Sequence, residues 1–245
     1  MLNLSFSLYD LEYFLLVLTR VSCFVFVAPF FSMSNTPRHV RIALSFFTAV
    51  LLYGTLTPEE MPVNYNTVSG YAVLVVKEAV TGLLIGFSAN LCSTIVSFAG
   101  AIVDMETGLS MAQVMDPTTR QQTSISGALY QYVFTLLLIA TGMYRFLMGA
   151  LADSFVMIPI NGAIFNMDSL LSSMLQFMSS YIVIGFRIAL PVFCTILLLN
   201  AILGVLAKVS PQLNMFAVGI QIKVLVGLSI LFFSAAMMDG AADFI

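Results

Sequence analysis

The sequence predicts an all-α, polytopic integral membrane protein, and three observations carry that expectation. Of its 245 residues, 60% are hydrophobic and only 9% are charged, against about 25% charged in soluble domains. Mean hydropathy is +1.02, and a soluble fold of this size leaves too much chain exposed to hide so much apolar surface. The apolar residues also gather into six long runs separated by short punctuated stretches.

A membrane span needs about 20 mostly apolar residues. The six candidates are residues 11–31, 40–56, 71–98, 126–148, 181–206 and 215–238. The second is short and the third long, so their tilts or ends must differ. The breaks between them carry Pro37, then Pro58 and Pro62, then Pro117, then Pro159 with Gly162, and finally Ser210 with Pro211. One domain is enough, with no low-complexity tract. The first run opens beside Asp10 and with Glu12 rather than after a basic start. It reads as a retained span, not as a cleaved signal peptide.

Cytoplasmic loops collect Lys and Arg. With six spans, Arg38, Arg41, Arg120 and Lys208 fall on one side, while Arg145, Glu59 and Glu60 fall on the other. That places both termini outside and the Arg38, Arg120 and Lys208 loops in the cytoplasm.

Polar residues inside the runs are few and therefore informative. Arg20 lies midway along the first run and Arg187 early in the fifth. A central Arg costs roughly 2.5–3.5 kcal/mol on insertion scales, so each should face protein or water, as a structural ion pair or a pore-facing charge. Lys77 and Glu78 are sequence neighbours and point in different directions on a helix, so each needs another partner. Asn90 and Asn200 read as interhelical hydrogen-bonding groups. Gly82 and Gly86 have the small-xxx-small spacing that lets a second backbone approach. Pro29 and Pro191, inside apolar runs, are expected to kink their helices.

The stretch 99–123, AGAIVDMETGLSMAQVMDPTTRQQT, breaks the pattern. Ile102, Met105 and Leu109 keep helical spacing, whereas Asp104, Glu106 and Gln113 are polar and Gly108 and Asp116-Pro117 interrupt. It reads as a long connection, and long connections are often functional. Met111 and Met115 within it are flexible and polarizable. Such side chains suit a seal against a changing surface, or an anchor on the membrane.

Several chemistries are disfavoured. No Lys/Arg run suggests nucleic acid, and no G-x-x-x-x-G-K-[ST] suggests a nucleotide. His39 is the single histidine, and a metal centre is improbable without H-E-x-x-H. The cysteines Cys23, Cys92 and Cys194 are far apart in apolar runs, and read as packing residues. Asp104 and Glu106, two apart, fall on different helix faces and make no catalytic pair. No enzyme, cofactor or metal is expected.

Four segments carry a family likeness: FSMSNTPRHVR at 31–41, VVKEAVTGLLIGF at 75–87, VMDPTTRQQTSISG at 114–127 and AKVSPQLNMFAVG at 207–219. Together they resemble the FliR family of flagellar export proteins, whose pattern the injectisome homologues share. The likeness runs across nearly the whole chain, and Ser210, Pro211, Gln212 and Asn214 form its most specific piece.

The resemblance implies a FliP-like helical part over residues 1–174 and a FliQ-like hairpin over residues 175–245, turning at Ser210-Pro211. It implies a single copy in a ring with FliP-like and FliQ-like subunits, beside other export-apparatus membrane proteins. The assembly would lie in the bacterial inner membrane at the flagellar basal body, partly lifted out of the membrane plane. Arg20 and Arg187, taken as buried, would then face other helices, with Glu78, Gly82 and Gly86 also at assembly contacts. A plug loop over residues 108–122, with Gly108, Met111, Met115, Asp116 and Pro117, would close the pore until an unfolded export substrate displaces it. An injectisome subunit is the near alternative. A solute permease is the alternative from another class, with Arg20, Asn90 and Asn200 as its thin support.

Overall fold

A computed structural model describes residues 8–33, 36–56, 65, 67–112, 114–115, 122–210 and 215–235. Seven helices dominate it: α1 Leu8–Val27, α2 Arg38–Thr55, α3 Val68–Thr107, α4 Ile125–Ala140, α5 Tyr144–Met157, α6 Met167–Val209 and α7 Met215–Ala235. The only ladder among the described residues is antiparallel, β1 Val114–Met115 against β2 Gln122–Thr123. The architecture is all-α.

Each hydrophobic run becomes helical, but three boundaries differ from expectation. The connection expected from residue 99 begins only at Gly108, because α3 continues to Thr107. Two of its polar residues are satisfied there: Thr107 Oγ1 donates to the Val103 carbonyl at 2.9 Å, and Asp104 finds partners described below. Gly108 ends the helix with φ +85°, a conformation that costs an L side chain strain, and its N–H closes on the Asp104 carbonyl at 3.1 Å.

The fourth run is not one helix. It breaks between α4 and α5, at Gly142 with φ +73°. Pro29 does not kink α1, which stops at Val27, so the proline follows the helix. Pro191 does lie inside α6 and supplies no N–H to its ladder.

By length and composition, α3 and α6 are able to cross a membrane, as is the bent α4–α5 pair if taken as one span. Among the described residues that makes two or three candidates, where the hydropathy of the sequence suggests six. The helix α1 is 20 residues long but carries Asp10, Glu12 and Arg20.

The chain divides into two compact units. The first comprises Met1–Leu91 and Gly142–Met167. Its core joins Leu16, Val17, Val21 and Phe24 of α1 to Ala49 of α2, Leu74 of α3, and Leu151 and Phe155 of α5. Helices α1 and α2 lock through edge-on rings, Phe14 against Phe46 and Tyr53 at centroid distances of 5.8 Å.

The second unit comprises Cys92–Thr141 and Asp168–Ile245. Val96, Ala99 and Val103 of α3 pack with Tyr130 and Phe134 of α4, Ala189, Val192 and Ile196 of α6, and Leu231 of α7. A Cβ added at Gly219 of α7 would lie 3.4 Å from Leu203 of α6, an approach bracketing the break at Ser210. Residues 174 and 175 both fall inside α6.

Candidate functional site

Two polar constellations stand out in this apolar chain, one in each unit. The first is built on Arg20 and Glu78, both fully buried. Arg20 Nε donates to Glu78 Oε2 at 2.6 Å, a charge-assisted bond between α1 and α3. Arg20 Nη1 donates to the carbonyls of Ser154 and Ile158 at 3.1 and 2.9 Å. Those carbonyls end α5, where the helix dipole favours a cation.

Glu78 Oε1 accepts from the Asn161 N–H at 3.2 Å. Asn161 has φ +69°, in the turn where the Gly162 N–H meets the Pro159 carbonyl at 2.8 Å. The guanidinium carbon lies 4.3 Å from the centroid of the Phe155 ring, a cation–π contact. One ion pair therefore ties together α1, α3, the end of α5 and the turn behind it.

Gly82 and Gly86 make this pair possible. They stand one and two turns beyond Glu78, and Arg20 and Phe24 are also four apart on α1. A Cβ at Gly82 would collide with the Arg20 carbonyl, and one at Gly86 would lie 2.9 Å from the Phe24 carbonyl. Close backbone approach brings the Arg20 and Glu78 side chains within direct reach. Lys77 points elsewhere and lines an open apolar groove with Val73, Val76 and Phe165.

The second constellation surrounds the base of segment 108–123. Asp104 on α3 is 1% exposed. Its Oδ2 accepts from Ser124 Oγ at 2.7 Å, and both its oxygens lie 3.2 Å from the Ser126 N–H. Ser124 is the N-cap of α4, and its Oγ also accepts from the Gly127 N–H at 2.8 Å. A carboxylate thus sits on the positive end of α4.

Farther down the same two helices, a Cβ at Gly100 would collide with the Gly127 backbone, and Ser97 Oγ donates to Gln131 Oε1 at 2.9 Å. Pairs 97 with 131, 100 with 127 and 104 with 124 form an antiparallel seam that ends at Asp104. Beyond it the chain leaves α3 through Gly108 and a short 3-10 turn, Leu109–Ala112, then runs through β1 and returns through β2.

The expected site residues are distributed as follows. The Met111 backbone lies in the 3-10 turn and that of Met115 in β1; their side chains, with Asp116 and Pro117, lie outside the described residues. Ser210 ends α6, its N–H on the Leu206 carbonyl at 2.9 Å, and Pro211, Gln212 and Asn214 also lie outside the described residues. Arg187, which the resemblance implies is buried in the assembled gate, is exposed on α6 of this chain. Six turns of that helix separate its neighbourhood from the polar ends, and the packing face is carried instead by Gly185, Ala189 and Val192.

Sequence reasoning passed over Asp104, Ser124 and Ser126 as a set. The available signal was a Ser ahead of an apolar run, an N-cap pattern. Asn161 and the α5 carbonyls left no sequence signal, because backbone groups carry none.

Comparison with known proteins fits this architecture. The family model described as bacterial export proteins, family 1, matches residues 11–243. The flagellar biosynthetic protein FliR of Bacillus subtilis (strain 168) is 30% identical over 215 residues, covering 87% of this chain and 82% of that protein. The FliR of Escherichia coli (strain K12) is 28% identical over 93% of this chain and 84% of its own length. The FliR of Aquifex aeolicus (strain VF5) is 31% identical over 89% and 83%.

Proposed function

This chain belongs to family 1 of the bacterial export proteins, the FliR family, and on that footing we propose that it forms and closes the channel of a flagellar protein-export gate. Its place as a membrane component of the flagellar export apparatus follows from the family and from its apolar helices. The gate is the finer reading. The observation that carries it is the segment 108–122, which leaves α3 and returns to α4 while both feet meet on one buried residue, Asp104, whose carbonyl takes the Gly108 N–H and whose carboxylate takes Ser124 Oγ and the Ser126 N–H. A segment held so firmly at its base is suited to present its tip at a fixed place.

In this reading Met111 and Met115 are the sealing side chains, in a segment whose sequence landmark is Asp116-Pro117. Apolar side chains in a narrow pore exclude water and ions by dewetting. An unfolded export substrate displaces them. The flagellar form is favoured over the injectisome form because the relatives described above carry flagellar names.

The partners are FliP-like and FliQ-like membrane subunits in a ring, with other membrane proteins of the apparatus, and the location is the bacterial inner membrane with multiple passes. Residues 1–174 act as the FliP-like part and 175–245 as the FliQ-like hairpin, and the Leu203–Gly219 approach across the α6–α7 break supports the hairpin. Both termini lie outside and the Arg38 and Lys208 ends face the cytoplasm. The broad apolar surface of α6, including Leu171, Val183, Leu198 and Phe186, gives partner helices or lipid a face to cover, and Arg187 on that helix then meets a partner or water.

Deleting residues 108–122 tests the gate. Cells carrying the deletion should leak small ions while the complex still assembles; unchanged permeability with intact assembly sinks the plug assignment.

A further inference from the structure

From the seam between α3 and α4 we infer that Asp104 is the positioning residue of the plug: its side chain holds the plug's base shut, and its charge is needed to do so. The inference rests on the plug reading of residues 108–122. Asp104 serves both feet of that segment. Its carbonyl receives the Gly108 N–H, which fixes the exit from α3. Its carboxylate receives Ser124 Oγ and the Ser126 N–H, which fixes the entry to α4.

The next ties are the Gly100–Gly127 approach and the Ser97–Gln131 bond, farther from the segment. If the carboxylate lets go, the last turn of α3 and the first turn of α4 lose their common anchor. Each foot then gains about one helical turn of free length, roughly 5.4 Å. A seal made by two methionines does not survive a displacement of that size, since packed apolar contacts are lost within an ångström or so of separation.

Charge matters as well as shape. The α4 N-terminus presents N–H groups with a positive partial charge, and the carboxylate takes the Ser126 N–H and the Ser124 hydroxyl at once. A neutral amide of the same size keeps one acceptor oxygen and adds an NH2 that faces the same donors.

Asp104→Asn in the full complex is therefore the test, with the 108–122 deletion as reference. Hydrogen exchange at the amides of residues 124–127 should quicken by about 10- to 100-fold, as expected for losing a bond to a charged group. Resting potassium efflux should rise toward that of the deletion, and Asp104→Asn should add nothing when the segment is already absent. An assembled Asp104→Asn complex with native exchange and native efflux, beside a leaking deletion, overturns the inference. A deletion that does not leak overturns the plug reading itself, whatever Asp104 does. Should Asp104→Asn fail to assemble, Ser124→Ala decides: it keeps the carboxylate, removes one partner, and should leak to a smaller extent. An assembled Ser124→Ala complex as tight as the native one overturns the inference.

Discussion

Replacing Glu78 by Ala perturbs the first unit at its most polar point. The Arg20 guanidinium then stays fully buried without its counter-charge, and the Asn161 N–H loses its acceptor. Breaking a buried pair from one side costs about 3–5 kcal/mol, most of it the stranded charge. Adding Arg20→Met removes that charge and fills similar volume. What remains are groups the pair had served. The Ser154 carbonyl keeps the Ile158 N–H at 2.9 Å, so the Ile158 carbonyl and the Asn161 N–H are the two left over. Both are only partly buried, and at about 1 kcal/mol each, the low end for an unmade bond, the double variant should lie roughly 1–2 kcal/mol below the native chain. Unfolding in mild detergent by added SDS, followed by circular dichroism, reads all three. A Glu78→Ala variant within about 1 kcal/mol of native, or a double variant no better than the single, would refute the reasoning.

Other perturbations separate close packing from bare helical propensity. Gly82→Ala drives a methyl into the Arg20 carbonyl and should cost about 1–3 kcal/mol, whereas Gly54→Ala on α2 meets nothing within 4 Å and should be neutral or slightly stabilising; the same SDS titration compares them. Gly142→Ala forces a Cβ onto a residue at φ +73°, which should cost about 1–2 kcal/mol and show as faster proteolysis between α4 and α5. Equal behaviour of Gly82→Ala and Gly54→Ala would remove the argument for a tight α1–α3 crossing.

Helices were legible in the sequence because lipid demands long apolar runs, and every such run is helical. Their ends were less so, for reasons that lie in contacts between distant residues. Asp104 and Glu106 looked like the start of a connection, yet α3 runs on to Thr107 because Ser124 and Ser126, about 20 positions later, receive the Asp104 charge. The break at Gly142 left little mark, since Thr141 and Gly142 sit quietly in an apolar run and only the positive φ discloses the turn.

Arg20 and Glu78 each announced a need for a partner, but 58 positions separate them, and no local pattern says which acid meets which base. The matching four-residue spacings of Gly82 with Gly86 and Arg20 with Phe24 become meaningful only once the helices cross. Arg187 shows the converse. An Arg in an apolar run announces only that it must face protein or water, and on this chain it lies on the exposed side of α6, so burial in an assembly is not legible from the run itself.

The central claim is membership of an export gate, and the mass of the native complex tests it most directly. The chain would be tagged at its C-terminus, extracted from its host in mild detergent and weighed intact by native mass spectrometry. The account predicts one copy of this chain with several copies of two other small hydrophobic proteins. A lone chain or a homodimer, in detergent shown to preserve such complexes, would contradict it.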